Sequence, residues 1–586
     1  MEAASGRKWA VDFETTTKEN DCRVWAWGAC PVDNPNKFVW GTSIESFFEW
    51  AQSEHNPKCW FHNLRFDSQF TTSWMLRNGF KWVPYRARTT KTFSTLITPT
   101  NDYFSARIVF ENVNKRAKTM ELYDSMKLLN MSLKKIAQSF HLPFNKQEID
   151  YKKDRPIGYQ PTPHELFYLN TDCKILAVAL QKLQEHGVEG ITIGQAAVKD
   201  FKERVPFCSS FFKKMPQEVE EDVRQAYKGG FSCLNPIYED IEIGPGFFLD
   251  RNSMYPAVLK ENPMPMGRPV FFKGQYKPST VYPLYIQKVS ISFTLKPGKV
   301  AFLRTKNHPL YDRASYMETS KGELISFTLT SPEMELLFEN YDIDDIVYHS
   351  GWKFMACNHV FDEYIDHWAQ VKEEAKEKNQ AATYQVAKLY LNSLVGKFGG
   401  RTSGRQCRPV LDENGIVRYQ AEGRETRSSL YSPIALFTTA FARCEMVRTI
   451  QKVRDFGFKR YGRDIWVYTD TDSCGVVMPV EDIKYLDKIL DLDDRKIGSY
   501  KVEKVFSKAR FIHAKCYMLV DYTGIPHATI AGMPREIAER LNFEQFRIGF
   551  TLESLKDDPD FDKLRALKQK IVPGGVVLVP GQFGIL

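Results

Sequence analysis

Asp470 and Asp472 place two carboxylates two positions apart in the stretch 468–473, Tyr-Thr-Asp-Thr-Asp-Ser. Residues 464–468 have the alternation of a β-strand, so both carboxylates should project from its end on one side. Two carboxylates so placed repel each other unless divalent cations neutralise them, and oxygen-rich sites suit Mg²⁺. The pattern favours phosphoryl-transfer chemistry. With 72 acidic residues in 586, however, an acid-x-acid spacing should arise by chance about nine times, so the pair alone is a weak signal.

Three further residues would complete such a site. Asp250 follows the apolar run 247–249, which predicts a buried strand with Asp250 at its end. Nucleotidyl transfer requires metal ions between a 3′-oxygen and a triphosphate, with cations that neutralise the departing pyrophosphate. Lys388 and Lys515 could supply that positive charge. Each lysine taken singly is more often a solvated surface residue.

A second set of acids lies in the first third of the chain. Asp12 and Glu14 share one face of a predicted strand, and Tyr168 and Asp172 stand four apart on a helix predicted from about residue 162 to 186. Together with Asp67, these carboxylates suffice for two divalent ions that activate water for phosphodiester hydrolysis. Tyr168 could orient that water. Singly, each acid would be read as a capping or solvated residue.

Several elements must position these residues. Strands and helices alternate through the first block, which indicates an α/β domain. The segment 360–398 is strongly helical, and Lys388, Asn392 and Val395 fall on one stripe of it. The paired glycines Gly229 and Gly230 predict a turn with positive φ or a close approach to another segment.

The segment 399–428 has the composition of an inserted β-hairpin. Its residues 409–418 contain an Asn-Gly pair that suits a tight turn between two strands. The hairpin is rich in arginine, and we expect an arm that projects from the body of the protein rather than packing against it.

Composition limits the class of protein. Length predicts three or four folding units at about 150 residues per domain. The chain has 80 basic and 72 acidic residues and a net charge of +8, which permits a polyanionic partner without requiring one. Its 11 cysteines form no C-x-x-C pair, so neither a disulfide framework nor a zinc site is indicated, and a reducing cytoplasm is expected. No apolar run suits a signal peptide or membrane helix, so we expect a soluble intracellular protein.

The order of these motifs resembles that of family B DNA polymerases, and in particular the protein-primed, phi29-like polymerases of small bacteriophages. Three segments match the exonuclease motifs: Asp12-Phe13-Glu14, Asn63-Leu64-Arg65-Phe66-Asp67 and Tyr168-Leu169-Asn170-Thr171-Asp172. Lys146 matches an additional exonuclease lysine of that group. Six segments match polymerase motifs: Tyr227–Gly230, Asp250–Pro256, Lys388–Gly396, Thr439–Arg443, Tyr468–Ser473 and Lys515–Tyr517.

The resemblance implies a role for each matched residue. Metal-binding and catalytic positions are Asp250, Asp470, Asp472, Asp12, Glu14, Asp67 and Asp172, with Tyr168 and Lys146 as catalytic partners. The nucleotide would be bound by Tyr255, Lys388, Asn392 and Val395. The frayed 3′ strand would be bound by Thr15, His62, Asn63, Phe66, Ser125 and Met126. Template and primer would be bound by Tyr227, Gly229, Gly230, Thr439, Arg443, Lys515 and Tyr517. Val395 departs from the family, which has tyrosine there, and Met126 replaces the commoner leucine.

The implied architecture is a multidomain α/β and α+β protein, with an RNase H-like 3′–5′ exonuclease domain before a right-hand polymerase of palm, fingers and thumb. The expected boundaries are exonuclease 1–190, palm 191–301, first insertion 302–356, fingers 357–398, second insertion 399–428, palm 429–530 and thumb 531–586. The first insertion would engage a terminal protein, and the two insertions together would engage that protein and encircle DNA.

The implied activity is DNA-directed DNA synthesis with 3′–5′ proofreading, primed by a protein, processive and strand-displacing, on a linear phage-type genome. Two Mg²⁺ ions are expected at each site, with Mn²⁺ as a possible substitute. Expected partners are primer-template DNA, dNTPs, a terminal protein and a single-stranded DNA-binding protein. A phage-encoded monomer in the host cytoplasm is expected, without membrane contact.

Two other functions compete with this one. A metal-dependent 3′–5′ exonuclease or DNA-binding repair protein could have a C-terminal half that grips DNA without synthesis, and Val395 favours that alternative. A reverse transcriptase is disfavoured, because such enzymes pair adjacent aspartates whereas Thr471 separates Asp470 from Asp472.

Overall fold

The computed structural model describes residues 6–84, 86–98, 100, 102–114, 116–144, 149–151, 153–305, 316–401, 403–426, 430–533, 538, 540–556, 567–581 and 583–585. Lys146, the predicted exonuclease lysine, lies outside the described residues.

The N-terminal part is built on one mixed sheet. Its strands are β1 (Lys8–Thr15), β2 (Val24–Pro31), β3 (Val39–Gly41), β4 (Lys58–Phe61), β5 (Lys81–Trp82), β6 (Thr92–Ile97), β7 (Tyr103–Val113) and β8 (Arg116–Asp124). The helices are α1 (Ile44–Ser53), α2 (Leu64–Arg77), α3 (Leu133–Ser139) and α4 (Pro163–Glu185). The strand order is β3-β2-β1-β4-β8-β7-β6-β5, and β4 runs parallel to both β1 and β8. The predicted start of α4 is confirmed, since Thr162 and Glu165 form a capping box there.

The middle of the chain begins with helices and continues mainly as strands. Its elements are α5 (Ile193–Arg204), α6 (Cys208–Phe211), α7 (Gln217–Val223), β9 (Ser232–Leu234), β10 (Glu242–Ile243), β11 (Gly246–Arg251), α8 (Met254–Glu261), β12 (Met264–Lys273), β13 (Leu284–Leu295), β14 (Ile325–Thr330), α9 (Ser331–Asn340) and β15 (Tyr341–Cys357).

The remaining elements begin with two helices. They are α10 (Asp362–Glu377), α11 (Ala381–Phe398), β16 (Ser403–Leu411), β17 (Val417–Thr426), α12 (Pro433–Tyr461), β18 (Trp466–Asp470), β19 (Ser473–Val476), α13 (Ile483–Leu486), β20 (Tyr500–Phe506), β21 (Lys508–His513), β22 (Cys516–Val520), β23 (Pro526–Ile530), β24 (Leu567–Val572) and β25 (Gly575–Pro580). A central five-stranded sheet has the order β20-β11-β19-β18-β9, and a four-stranded sheet has the order β12-β15-β13-β14.

The hairpin β16–β17 does not project freely, so that prediction is wrong. Cys407 is 5% exposed and belongs to the apolar cluster of the N-terminal domain, with Tyr419 packed against it. The Tyr419 hydroxyl donates a hydrogen bond to Gln69 Oε1 at 3.0 Å, and Arg77 Nη2 donates to the Gly415 carbonyl at 3.1 Å. The hairpin therefore docks on α2, because burial of its apolar side chains stabilises the contact while Arg405 and Arg408 stay exposed.

The cysteines and the helices bear on cross-links and membrane spans. All 11 cysteines are free thiols in the structure. Across the described ranges, no helix has both the length and the apolarity needed to cross a membrane.

Candidate active sites

Side chains of β1 alternate between the two faces of the sheet, so core residues and candidate site residues lie on opposite faces. Phe13 points to one side, where its ring meets Phe47 and Phe61 with centroids 4.9 and 5.0 Å away. Asp12 and Glu14 therefore point to the opposite face of the sheet. The sequence-derived acidic pair is thus held on a strand that its apolar neighbours anchor.

Asp67, in the first turn of α2, joins this pair. Its side chain is 4% exposed, and it accepts a hydrogen bond from the Phe13 N–H. Burial, and then the negative charge of Asp12, raise the pKa of Asp67. Such mutual repulsion is the electrostatic demand that a divalent cation satisfies.

Helix α4 brings Tyr168 and Asp172 to the same place, each 2% exposed. Burial, followed by the charges of Glu14 and Asp172, raises the pKa of Tyr168, so its hydroxyl stays protonated. The Tyr168 hydroxyl oxygen lies 2.7 Å from that of Tyr151. Sequence reasoning gave Tyr151 no role, because a lone tyrosine in a loop has no spacing signal.

The two segments predicted to hold a frayed 3′ strand meet through a residue that the sequence analysis missed. Asp124, 3% exposed, accepts hydrogen bonds from the Asn63 N–H at 3.1 Å and the Met126 N–H at 3.0 Å. His62 Nδ1 lies 2.9 Å from Ser125 Oγ. These segments adjoin because β4 and β8 are parallel neighbours, a pairing that no local pattern reveals.

Two other residues predicted to bind the frayed 3′ strand of DNA lie at the end of a β-strand and at the start of a helix. Thr15 is the last residue of β1 and is partly exposed. Phe66 is partly exposed in the first turn of α2, with its ring centroid 5.8 Å from that of Phe70.

The second acidic set converges in the central sheet. Ser473 on β19 is paired with Asp250 on β11 and also with Asp470 on β18. These two aspartates therefore flank one residue of the middle strand. Asp472 lies in the turn between β18 and β19, and its N–H donates to the Asp470 carbonyl at 2.8 Å.

Thr471 forms the sharp part of that turn with φ of 63°, a left-handed conformation that is rare for a β-branched residue. Its N–H donates to the Phe231 carbonyl at 2.7 Å. A Cβ at Gly230 would lie 2.5 Å from Thr471 Oγ1. Neither Gly229 nor Gly230 has positive φ, so that part of the prediction is wrong, whereas the close approach is confirmed for Gly230.

The three aspartates repel one another. Burial, and then the charges of Asp250 and Asp470, raise the pKa of Asp472 to about 6. Within the described residues, no three acidic, histidine or cysteine side chains enclose a metal ion by themselves. The carboxylates of this group need a cation to neutralise their charge, but they are too few to fill its coordination shell. Such a site fits Mg²⁺, which retains water and substrate phosphates as ligands.

Two lysines stand at opposite ends of this acidic group. Lys515 Nζ lies 3.6 Å from Asp470 Oδ2, and Lys501 Nζ lies 3.1 Å from Asp250 Oδ2. Lys515 was predicted from sequence, whereas Lys501 was not. Tyr517 stacks on Phe511 with centroids 5.2 Å apart.

The predicted nucleotide-binding residues differ in exposure. Lys388 and Asn392 are exposed on α11, but Val395 is only 3% exposed in the core. Tyr255, on α8, is partly exposed; burial, and next the charge of Asp472, raise its pKa. Val395 thus contributes packing in this structure, while the other three can reach a ligand.

The segment 227–230 is held by Arg443. Arg443 Nη1 donates to the carbonyls of Lys228 and Gly229, each at 2.8 Å. A Cβ at Gly399 would lie 2.4 Å from the Tyr227 hydroxyl. Thr439 is 5% exposed and donates within its own helix to the Leu436 carbonyl at 3.1 Å.

Comparison with known proteins identifies the family of this chain. The family described as DNA polymerase type B, organellar and viral, matches residues 52–160 and 144–455. The DNA polymerase of Bacillus phage phi29 is 34% identical over 99% of both chains, and that of Streptococcus phage Cp-1 is 28% identical over 98% of both. The chain belongs to the type B DNA polymerases of organelles and viruses.

Solved structures agree with this assignment. Phi29 DNA polymerase in a ternary complex with primer-template DNA and nucleotide has a TM-score of 0.89 and 33% identity, over 99% of this chain and 100% of that one. A post-translocation binary complex has a TM-score of 0.90 and 32% identity over the same shares. The predicted fold class is confirmed: an RNase H-like exonuclease domain precedes a right-hand polymerase.

This polymerase is therefore a DNA-directed DNA polymerase of the protein-primed, phi29-like type with a 3′–5′ exonuclease. The full-length match disfavours the alternative of a repair nuclease with a non-synthesising half. Divalent metal ions are a requirement of the family. The residue boundaries of the domains and the roles of individual site residues stay predictions.

Proposed function

We propose that each acidic group holds two Mg²⁺ ions, for which Mn²⁺ can substitute. At the polymerisation site the ligands are Asp250 and Asp472, assisted by Asp470. At the exonuclease site they are Asp12, Glu14, Asp67 and Asp172. The observation that carries this proposal is the pairing of Asp250 and Asp470 with the same residue, Ser473, beside an aspartate whose pKa is raised to about 6.

Bound divalent ions supply charge stabilisation at the attacking and leaving oxygens of a phosphate ester. The chain's own residues orient the reactants around them. Lys388 on α11 binds the triphosphate as a point charge, and Tyr255 packs beneath the sugar of the incoming dNTP. Lys515 and Tyr517 bind the primer end near Asp470, and Arg443 stabilises the loop 227–230 that contacts the template.

At the exonuclease site, Tyr168 orients the attacking water through its protonated hydroxyl. His62, Asn63 and Met126 hold the frayed 3′ strand, the buried Ser125 positions His62, and Asp124 keeps the two segments together. Thr15 and Phe66 also contact that strand. The resemblance to the family assigns Lys146 a further catalytic role in degradation.

Separation of the two activities tests these assignments. Asp472→Ala should abolish most primer extension, because a metal ligand is lost, while degradation of single-stranded DNA continues. The double variant Asp12→Ala with Asp67→Ala should lose degradation and retain extension. If either change removed both activities from a folded protein, the assignment of two independent sites would be wrong.

Priming by a terminal protein is the second part of the proposal. The polymerase would form a heterodimer with that protein through residues 302–356 and join the first dNMP to one of its hydroxyl groups. Incubation with the candidate terminal protein and labelled dATP should yield a covalent protein–dAMP adduct. Failure to form an adduct, with normal extension of a DNA primer, would contradict protein priming in this polymerase.

Processive and strand-displacing synthesis is the third part. The hairpin β16–β17 and the segment 531–586 would surround the product duplex, since β25 also reaches α2, where a Cβ at Gly575 would lie 2.3 Å from the Phe70 ring. Long products on a primed circular template under a competitor trap would support encirclement. Products limited to a few nucleotides would contradict it.

A further inference from the structure

Lys501 lies in none of the polymerase motifs, yet it faces a residue of the active site. On β20 it is the direct cross-strand partner of Asp250 on β11. Directly paired residues of an antiparallel sheet project from the same face. The Lys501 ammonium accordingly lies 3.1 Å from Asp250 Oδ2, with 35% of its side chain exposed.

A neighbouring lysine shows which end of the site Lys501 occupies. Lys372 belongs to α10, and its pKa is lowered by burial and by the charge of Lys501. Helix α10 packs against α11, the helix that carries Lys388. Lys501 therefore lies toward the two helices of the predicted fingers, whereas Lys515 lies at the other end, beside Asp470.

The two ends of the site therefore suit different ligands. The end near Lys515 suits the primer. The end near Lys501, Lys372 and α11 suits the triphosphate, because it brings several ammonium groups together, although Lys372 Nζ also lies 3.7 Å from Glu373 Oε1. A divalent cation on Asp250 would repel the Lys501 ammonium. A lysine has a flexible four-carbon stem, so its ammonium can leave the carboxylate for the nearest anion.

We propose that Lys501 is a further catalytic residue that contacts the triphosphate of the incoming nucleotide and the pyrophosphate that leaves. The proposal rests on the metal-binding role of Asp250 and Asp472. In the reaction the primer 3′-hydroxyl gives up its proton to water and its oxygen forms a bond to the α-phosphorus. The bond from that phosphorus to the bridging oxygen breaks, and its electron pair leaves with pyrophosphate. The Lys501 ammonium donates a hydrogen bond to the departing phosphates as their charge grows, and keeps its proton.

The competing explanation is that Lys501 only neutralises Asp250 on the protein surface. The two roles predict different effects on metal binding and on nucleotide binding, which can be measured separately. A pure counter-ion affects metal binding and leaves nucleotide binding unchanged. Loss of a phosphate ligand weakens nucleotide binding without weakening metal binding.

The experiment compares Lys501→Gln, Lys501→Arg and the control Lys496→Gln. Lys496 has the same charge and pairs with Asp491 at 2.7 Å on an exposed loop. The dissociation constant of the correct dNTP is measured on a primer-template with a dideoxy end in Ca²⁺. Lys501→Gln should weaken it about tenfold, the value of one charge-assisted hydrogen bond, and the control should stay within about twofold of the unchanged protein.

Lys501→Arg should stay within about threefold of the unchanged protein, because it keeps the positive charge. Mn²⁺ binding to the protein alone, followed by electron paramagnetic resonance, should be equal or tighter in Lys501→Gln, because a competing cation is gone. Single-strand degradation serves as the folding control.

Three results would overturn the proposal: unchanged dNTP affinity in Lys501→Gln, an arginine variant as weak as the glutamine variant, or weaker Mn²⁺ binding in Lys501→Gln. Failure of the metal assignment itself gives a different pattern. In that case Asp472→Asn would bind Mn²⁺ as tightly as the unchanged protein does.

Discussion

Glu333 Oε1 lies 2.6 Å from Arg443 Nη2 in the interior, where the Glu333 side chain is only 1% exposed. The same oxygen accepts a hydrogen bond from Lys228 Nζ at 3.0 Å, and Glu333 Oε2 accepts one from the Thr330 N–H at 3.0 Å. Arg443 in turn donates hydrogen bonds to the carbonyls of Lys228 and Gly229, just before Gly230. A residue within the first predicted insertion thus stabilises the loop that packs on Thr471, between the two aspartates.

Glu333→Gln should destabilise the folded protein by about 3 kcal/mol, because it leaves the buried guanidinium of Arg443 without its counter-ion. Primer extension should fall more than single-strand degradation, since the disturbed loop contacts the polymerisation turn. Chemical denaturation and the two activity assays measure this. Glu335→Gln, on the exposed face of the same helix, is the matched control, and an equal effect of both changes would contradict the role of burial.

The same pair predicts a pH dependence. Although burial opposes it, the charges of Lys228 and Arg443 lower the pKa of Glu333 from 4.5 to about 2. A carboxyl group whose pKa is lower in the folded protein stabilises it fully above its unfolded pKa, and this stabilisation is lost as pH falls through the folded value. The stability difference between the unchanged protein and Glu333→Gln should therefore be constant above about pH 5 and shrink between pH 4.5 and 2. A difference that grew on acidification would contradict it.

Tyr255 should exclude ribonucleotides, because a rigid ring beneath the sugar leaves no volume for a 2′-hydroxyl. Tyr255→Val should lower the discrimination between dNTP and rNTP by at least tenfold, a change of about 1.4 kcal/mol. Tyr255→Phe keeps the ring and is the control. Single-nucleotide insertion kinetics with dATP and ATP measure the ratio, and equal discrimination in all three proteins would remove Tyr255 from the sugar site.

Tyr419→Phe should loosen the hairpin from the exonuclease domain. It leaves Gln69 Oε1, on a residue 2% exposed, without that donor, at a cost of about 1–3 kcal/mol. Products under a competitor trap should shorten, while insertion of a single nucleotide stays unchanged. Tyr522→Phe, at a position 62% exposed, should change nothing. Loss of insertion together with product length would indicate a folding defect instead.

The sequence by itself indicated the class of this polymerase, because the order of its acidic and lysine motifs matches that of the family, and carboxylates and lysines suit divalent cations and phosphates. Local patterns also determined the capped start of α4 and the turn of the hairpin, since capping and turn formation involve neighbouring residues. Asp12 and Glu14 could be placed on one strand face for the same reason.

Only the tertiary structure decided which distant residues support those groups. Asp124 meets Asn63 because two parallel strands adjoin, Glu333 meets Arg443 across 110 positions, and Lys501 meets Asp250 through strand register. The docking of Tyr419 on Gln69 is of the same kind. Such contacts depend on how complete elements pack to bury apolar surface, and that free energy is shared over the whole core rather than encoded in the spacing of a few residues.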